Sequence, residues 1–170
     1  PRAFVLPFYM NNKYRVAPFP FFYVKRIIAE FKPDLINVCS PYPNSICAMI
    51  IAKKHDIPVV GSIHILPENI LAPFFNTPWY TTMVKYTWRY LISFYNHVDW
   101  ATVPTQTGAE MYTKRGLHVP ITPISNGVDT SLFTPKNKGE YLRKRFMIPD
   151  KPLVLYSGRM NQETSNWSAM

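Results

Sequence analysis

His64 follows the apolar run Pro58-Val-Val-Gly-Ser-Ile63 directly and precedes the loop Ile65-Leu66-Pro67-Glu68-Asn69. An imidazole titrates near neutrality, so at the end of a strand it can orient a substrate hydroxyl or stabilise charge beside a phosphate. A half-buried, hydrogen-bonded core histidine is the competing reading of the same position. The other histidines, His55, His97 and His118, fall at helix ends or in loops with no second ligand at metal spacing, so no metal site is expected. Gly158-Arg159, after the apolar run Leu153 to Ser157, has a different capability. A glycine lets a phosphate approach the backbone, and the neighbouring guanidinium can hold diphosphate oxygens in a two-pronged grip.

These residues need elements to position them. Short runs rich in Val and Ile alternate with longer stretches of helical period, which predicts βα units and an α/β fold with a mostly parallel sheet. Strands are expected at Ala3 to Leu6, Asp34 to Cys39, Pro58 to Ile63, Trp100 to Val103, Ile121 to Ser125 and Leu153 to Ser157. Helices are expected at Phe21 to Phe31, Asn44 to His55, Trp79 to Asn96 and Gly139 to Phe146, with a proline-broken stretch from Ile63 to Pro78. Asn44 or Ser45 is the expected cap of the second helix, and Thr107 with Glu110 reads as a capping box for a helix after Val103. Asn126-Gly127 reads as a tight turn, because both residue types tolerate positive φ. The 17 prolines cluster at element boundaries, where they end helices and begin strands.

In an open parallel sheet, ligands bind outside the carboxyl ends of the strands, where loop amides and helix N-termini converge. The predicted exits carry Ser40-Pro41-Tyr42, His64 with Glu68 and Asn69, Pro104-Thr105-Gln106, and Ser125-Asn126-Gly127-Val128-Asp129. Ser40, Glu68, Asn69, Thr105, Asn126, Gly127 and Asp129 are therefore candidate cleft residues for a polar ligand.

With 170 residues and 47% hydrophobic content, the chain is long enough for one sizeable core. Its longest apolar stretch, Ile46 to Ala52, is far shorter than the roughly 20 residues a membrane-spanning helix requires. The start Pro-Arg-Ala-Phe reads as internal rather than as an export signal. Cys39 and Cys47 are spaced for neither a disulfide framework nor zinc, and read as buried thiols in a reducing, cytoplasmic compartment. Nineteen Lys and Arg against ten Asp and Glu give a net charge of +9 and favour an anionic partner. Between Asn69 and Val98 there is no acidic residue, while Lys85 and Arg89 stand among many aromatics. Trp79, Lys85, Trp88 and Arg89 could form a membrane-facing surface, with rings at headgroup depth and cations on anionic lipid. The same helix also reads as an ordinary amphipathic cover for the sheet, with Tyr80, Val84, Trp88, Leu91 and Tyr95 in one stripe.

Taken together, several segments resemble the family 4 glycosyltransferases, retaining enzymes of the two-domain GT-B architecture. They are Lys32 to Val38, Ile57 to His64 with Pro67-Glu68-Asn69, Pro104-Thr105, Ile124 to Asp129 with Phe133 and Pro135, and Leu155 to Arg159. The resemblance implies a Rossmann-like N-terminal, acceptor-side domain over 1–147, a linker at 148–152 and the start of a donor-binding domain at 153–170. It implies that His64 lies near the reacting sugar and acceptor, and that Gly158, Arg159 and Glu163 bind the donor diphosphate in place of a metal. No cofactor is implied; the co-substrate is a nucleotide-diphosphate sugar. The segment from His64 to Asn69 looks closest to enzymes that glycosylate membrane lipids, which would act peripherally at the cytoplasmic face. The chain departs from the family pattern at Thr164, where a lysine is expected, and shows neither the glycine-rich loop near the first strand nor the paired-glutamate motif. On that basis the 170-residue polypeptide by itself is expected to be inactive.

Two other readings stay open: a non-catalytic, peripheral membrane-binding α/β module, and a nucleotide-sugar epimerase of the same architecture. Nucleic-acid binding has only net charge in its favour and no recognised motif, so no nucleic-acid partner is expected.

Overall fold

The computed structural model describes residues 4–5, 15–17, 19–136 and 139–152. They form two compact units, one over Pro1–Ser125 and one over Asn126–Met170.

The first unit contains strands β1 (Phe4–Val5), β2 (Arg15–Val16), β3 (Ile36–Val38), β4 (Val59–Ser62), β5 (Trp100–Val103) and β6 (Ile121–Pro123). Its helices are α1 (Phe21–Phe31), α2 (Pro43–Lys54), the short α3 (Pro67–Ile70), α4 (Tyr80–Tyr95) and α5 (Gln106–Lys114), with a 3₁₀ turn at Ala72–Phe74. β1 and β2 form a separate antiparallel ribbon. The remaining strands make one parallel sheet in the order β3-β4-β5-β6. This is the expected α/β class, and the runs within Asp34 to Cys39, Pro58 to Ile63, Trp100 to Val103 and Ile121 to Ser125 became its strands; the expected strand Leu153 to Ser157 lies outside the described residues.

The register explains the polar positions in those runs. Val38, Val59, Gly61, Ala101 and Val103 face one side and are buried with Ala52 of α2, Trp88, Leu91 and Tyr95 of α4, and Ala109 and Tyr112 of α5. Asn37, Ser62, Thr102 and Thr122 alternate with them onto the opposite side. There Ser62 donates to Asn37 Oδ1 at 2.9 Å, Thr102 donates to Ser62 at 3.4 Å, and Trp100 Nε1 donates to Thr122 Oγ1 at 3.0 Å. A parallel sheet covered on both faces reads as continuous apolar strands. These strands alternate instead, and among the described residues their second face is only part-covered.

Two helix starts and one turn differ from expectation. The N-cap of α2 is Tyr42, with Pro43 in the first turn, so neither Asn44 nor Ser45 caps it; proline needs no amide partner there. The N-cap of α5 is Thr105, which accepts from Gly108 N–H at 3.0 Å, whereas Thr107 lies inside the helix. Glu110 pairs with Gln106 one turn away at 3.2 Å rather than closing a capping box. The third difference is at Asn126-Gly127, where neither backbone takes positive φ. The left-handed conformations occur instead at Lys32, Asp56, Gly116 and Met147, just past the ends of α1, α2, α5 and the later helix α6 (Glu140–Arg145), and at Gly139, which begins α6.

The cysteines also depart from expectation: Cys39 is exposed and Cys47 half-buried. Cys39 lies one residue past β3, where the chain leaves the sheet's cover.

In the second unit, Arg143 of α6 donates to the carbonyls of Pro149, at 2.9 Å, and Lys151, at 3.2 Å, tying the expected linker segment to this helix. Among the described residues no helix is long and apolar enough to cross a membrane.

Candidate functional site

Because β3 to β6 run parallel, their carboxyl ends lie along a single edge, with Val38 level with Gly61, Ser62 with Thr102, and Val103 with Pro123. Ser40, His64 and Thr105 leave the sheet at this edge, two or three residues past the paired positions. The structure thus brings these three sequence-predicted residues to one rim.

His64 is exposed, and its imidazole makes no hydrogen bond to the described residues, so the competing reading of a satisfied core histidine does not hold. Its backbone is nevertheless fixed from both sides. Ile63 N–H continues the sheet by donating to Thr102 O at 2.7 Å. Tyr112, fully buried on α5, donates its hydroxyl to Ile65 O.

The other predicted residues separate by what their polar atoms already do. Thr105 spends its hydroxyl oxygen on the cap of α5. Glu68 accepts from Trp88 Nε1 at 2.9 Å through Oε1, and its Oε2 is buried without a partner among the described residues. Ser40 is half-buried and Asn69 exposed. In the second unit, Asp129 Oδ1 accepts from Ser131 Oγ at 2.6 Å, Ser131 N–H at 2.9 Å and Leu132 N–H at 3.3 Å. The Ser131 hydroxyl, and then the two amides, hold its carboxyl below the ordinary carboxylate range. Asn126 and Gly127 are exposed in the same unit. Gly158, Arg159 and Glu163 lie outside the described residues.

Trp88 corrects the expected membrane face. It is only 6% exposed, packed edge-on against Tyr112 with ring centroids 4.9 Å apart, so its stripe covers the sheet as an amphipathic helix would. Trp79 is 47% exposed, and Lys85 and Arg89 point outward. Lys85 and Arg89 line a groove of about 610 Å³ with Arg115 and His118, and no carboxylate is among its lining residues. Arg115 escaped the sequence reading, and His118 stood there only as a histidine without a metal partner, because they come from the far end of α5 and the loop after it.

The Asn37, Ser62 and Thr102 ladder was missed too, although the polar residue at every second position of the strands was its signal. Among the described residues, no three His, Cys, Asp or Glu side chains gather as a metal site would need.

A parallel sheet with a polar rim is shared by many α/β enzymes; the match along the chain decides among them. The sequence profile described as "Glycosyltransferase Family 4" covers residues 1–132. The chain belongs to glycosyltransferase family 4. Among relatives of this family 4 chain is the sulfoquinovosyl transferase SQD2 of Arabidopsis thaliana, 30% identical over 96% of the chain and 32% of the relative. Another is a GDP-mannose-dependent alpha-mannosyltransferase of Mycobacterium tuberculosis (strain CDC 1551 / Oshkosh), 23% identical over 85% of the chain and 37% of the relative. The family 4 chain therefore spans about a third of the length of the curated relatives it matches.

Proposed function

We propose that the complete protein is a hexosyltransferase that moves a sugar from a nucleotide-diphosphate donor to an acceptor hydroxyl. The segment over 1–147 supplies the acceptor side, 148–152 links it to the donor side, and 153–170 opens the donor-binding domain. The observation that carries the reading is the imidazole of His64, exposed and without a hydrogen bond among the described residues, at the carboxyl edge of a family 4 sheet. A neutral imidazole there can hydrogen-bond a sugar or acceptor hydroxyl, and its cation can offset phosphate charge. Arg159, beside Gly158, compensates charge on the leaving diphosphate in place of a metal, with Glu163 nearby in sequence.

The acceptor we favour is a membrane lipid. Support comes from the exposed Trp79 and from the groove where Lys85, Arg89 and Arg115 stand beside His118, which suits the anionic surface of a cytoplasmic leaflet. In this reading the protein works peripherally on the membrane surface. Both relatives named above are transferases of a sugar, which supports transfer over epimerisation.

The deciding experiment is turnover of radiolabelled nucleotide sugars by the complete protein with lipid acceptors, comparing the parent with His64→Ala. A fall in kcat of about 100-fold or more is expected for a group at the reacting centre. Unchanged turnover would remove His64 from the site.

A further inference from the structure

Among the described residues, Glu68 Oε2 is the one buried side-chain oxygen or nitrogen without a hydrogen-bond partner. Leaving a buried acceptor unsatisfied costs about 1–3 kcal/mol. Packing alone therefore does not account for a carboxylate at this position. Its other oxygen takes the indole N–H of Trp88, twenty residues onward on α4.

Trp88 is itself held from two sides. Tyr112 meets its ring edge-on, and the Arg115 guanidinium lies 4.1 Å from its ring centroid while donating to Met111 O at 3.2 Å. Tyr112 in turn donates to Ile65 O. Pro67, between these two attachment points, is fully buried. The segment from Ile65 to Glu68 thus hangs from two donors on two different helices, and His64 is the residue between that attachment and the last sheet bond at Ile63.

We propose that Glu68 is a positioning residue and not an acceptor ligand. Trp88 and Tyr112 clasp the segment 65–68 through Glu68 and the Ile65 carbonyl, and the clasp sets where the His64 imidazole stands. This rests on the reading of His64 as a group at the reacting centre. One carboxylate oxygen is buried and the other is taken by the indole, and a displacement of the segment by an ångström would move the imidazole with it. Misplacing a reacting group by that much is enough to cost about 100-fold in rate.

The test uses the complete protein with Glu68→Ala, Glu68→Gln, Tyr112→Phe and His64→Ala, reading kcat, KM for both substrates, and amide hydrogen exchange over residues 64–69. Glutamine keeps an oxygen for the Trp88 N–H, whereas alanine removes it. Glu68→Ala and Tyr112→Phe should each lower kcat by about 10- to 100-fold with KM for the nucleotide sugar held within about twofold. Both should speed exchange at residues 64–69, Glu68→Gln should restore most of kcat, and Glu68→Ala should add little to His64→Ala. The clasp is overturned if Glu68→Ala raises only the acceptor KM, if glutamine is as damaging as alanine, or if kcat is unchanged while His64→Ala is inactive. A fully active His64→Ala overturns the functional reading instead, whatever the exchange rates show.

Discussion

Gly61 lies directly beneath the ring of Tyr95: a Cβ built on the glycine would stand 2.9 Å from Tyr95 Cδ1 and 3.3 Å from Val98 Cγ1. Tyr95 is fully buried, so its ring has nowhere open to retreat. The close approach sets how tightly α4 seats on the centre of the sheet, and it leaves the Tyr95 hydroxyl 3.1 Å from Cys39 O at the rim.

Gly61→Ala is therefore expected to destabilise the chain by about 1–3 kcal/mol through overpacking. Tyr95→Phe, which keeps the ring and loses only the bond to Cys39, should cost about 0.5–1.5 kcal/mol. Urea denaturation midpoints give both values. A Gly61→Ala variant as stable as the parent would show that α4 can shift away from β4.

Stability should fall on the alkaline side. Burial pushes the phenols of Tyr95 and Tyr112 well above their ordinary value of 10.0; the nearby Cys39 adds to this for Tyr95, and Tyr95 and Glu68 add to it for Tyr112 against an opposing pull from Arg115. The fold thus disfavours phenolate, while the unfolded chain releases the proton near its ordinary pKa. The stabilisation is fully present below the unfolded pKa and is lost as pH rises through the folded one. Urea midpoints should decline from about pH 10 upward, and Tyr112→Phe should flatten that decline relative to the parent. An equal slope in the two proteins would rule out this source.

The helix cap gives a two-residue comparison. Thr105→Ala removes the oxygen that takes Gly108 N–H and should cost about 1 kcal/mol. Thr107→Ala, on the exposed first turn, should stay within about 0.5 kcal/mol. Reversal of that order in thermal or urea unfolding would place the helix start two residues later.

How much of this was legible beforehand depends on how far apart the interacting residues are in the chain. Trp100 to Val103 reads as a strand, and Phe21 to Phe31 and Trp79 to Asn96 as helices, because period and composition act within a few residues. Thr105 and Thr107 are chemically the same candidate cap, and the point at which β5 releases the chain decides between them. Trp88 was ambiguous for the same reason: a Trp between Lys85 and Arg89 suits a lipid-facing helix and a core stripe alike. Only Tyr112, twenty-four residues on, and Glu68, twenty residues back, show which way its ring turns.

By itself the sequence determined the α/β class, the alternation of β3 to β6 with the longer helices, the family, and His64 as the residue at a strand exit, since each follows from local pattern or from an ordered set of motifs. The tertiary structure alone decided that Glu68 Oε1 and the Thr105 hydroxyl are already engaged, that Asn37, Ser62 and Thr102 share one sheet face, and that Arg115 and His118 join Lys85 and Arg89 in a groove. Burial and hydrogen-bond pairing between distant segments are settled by register and helix packing, which no window of neighbouring residues encodes.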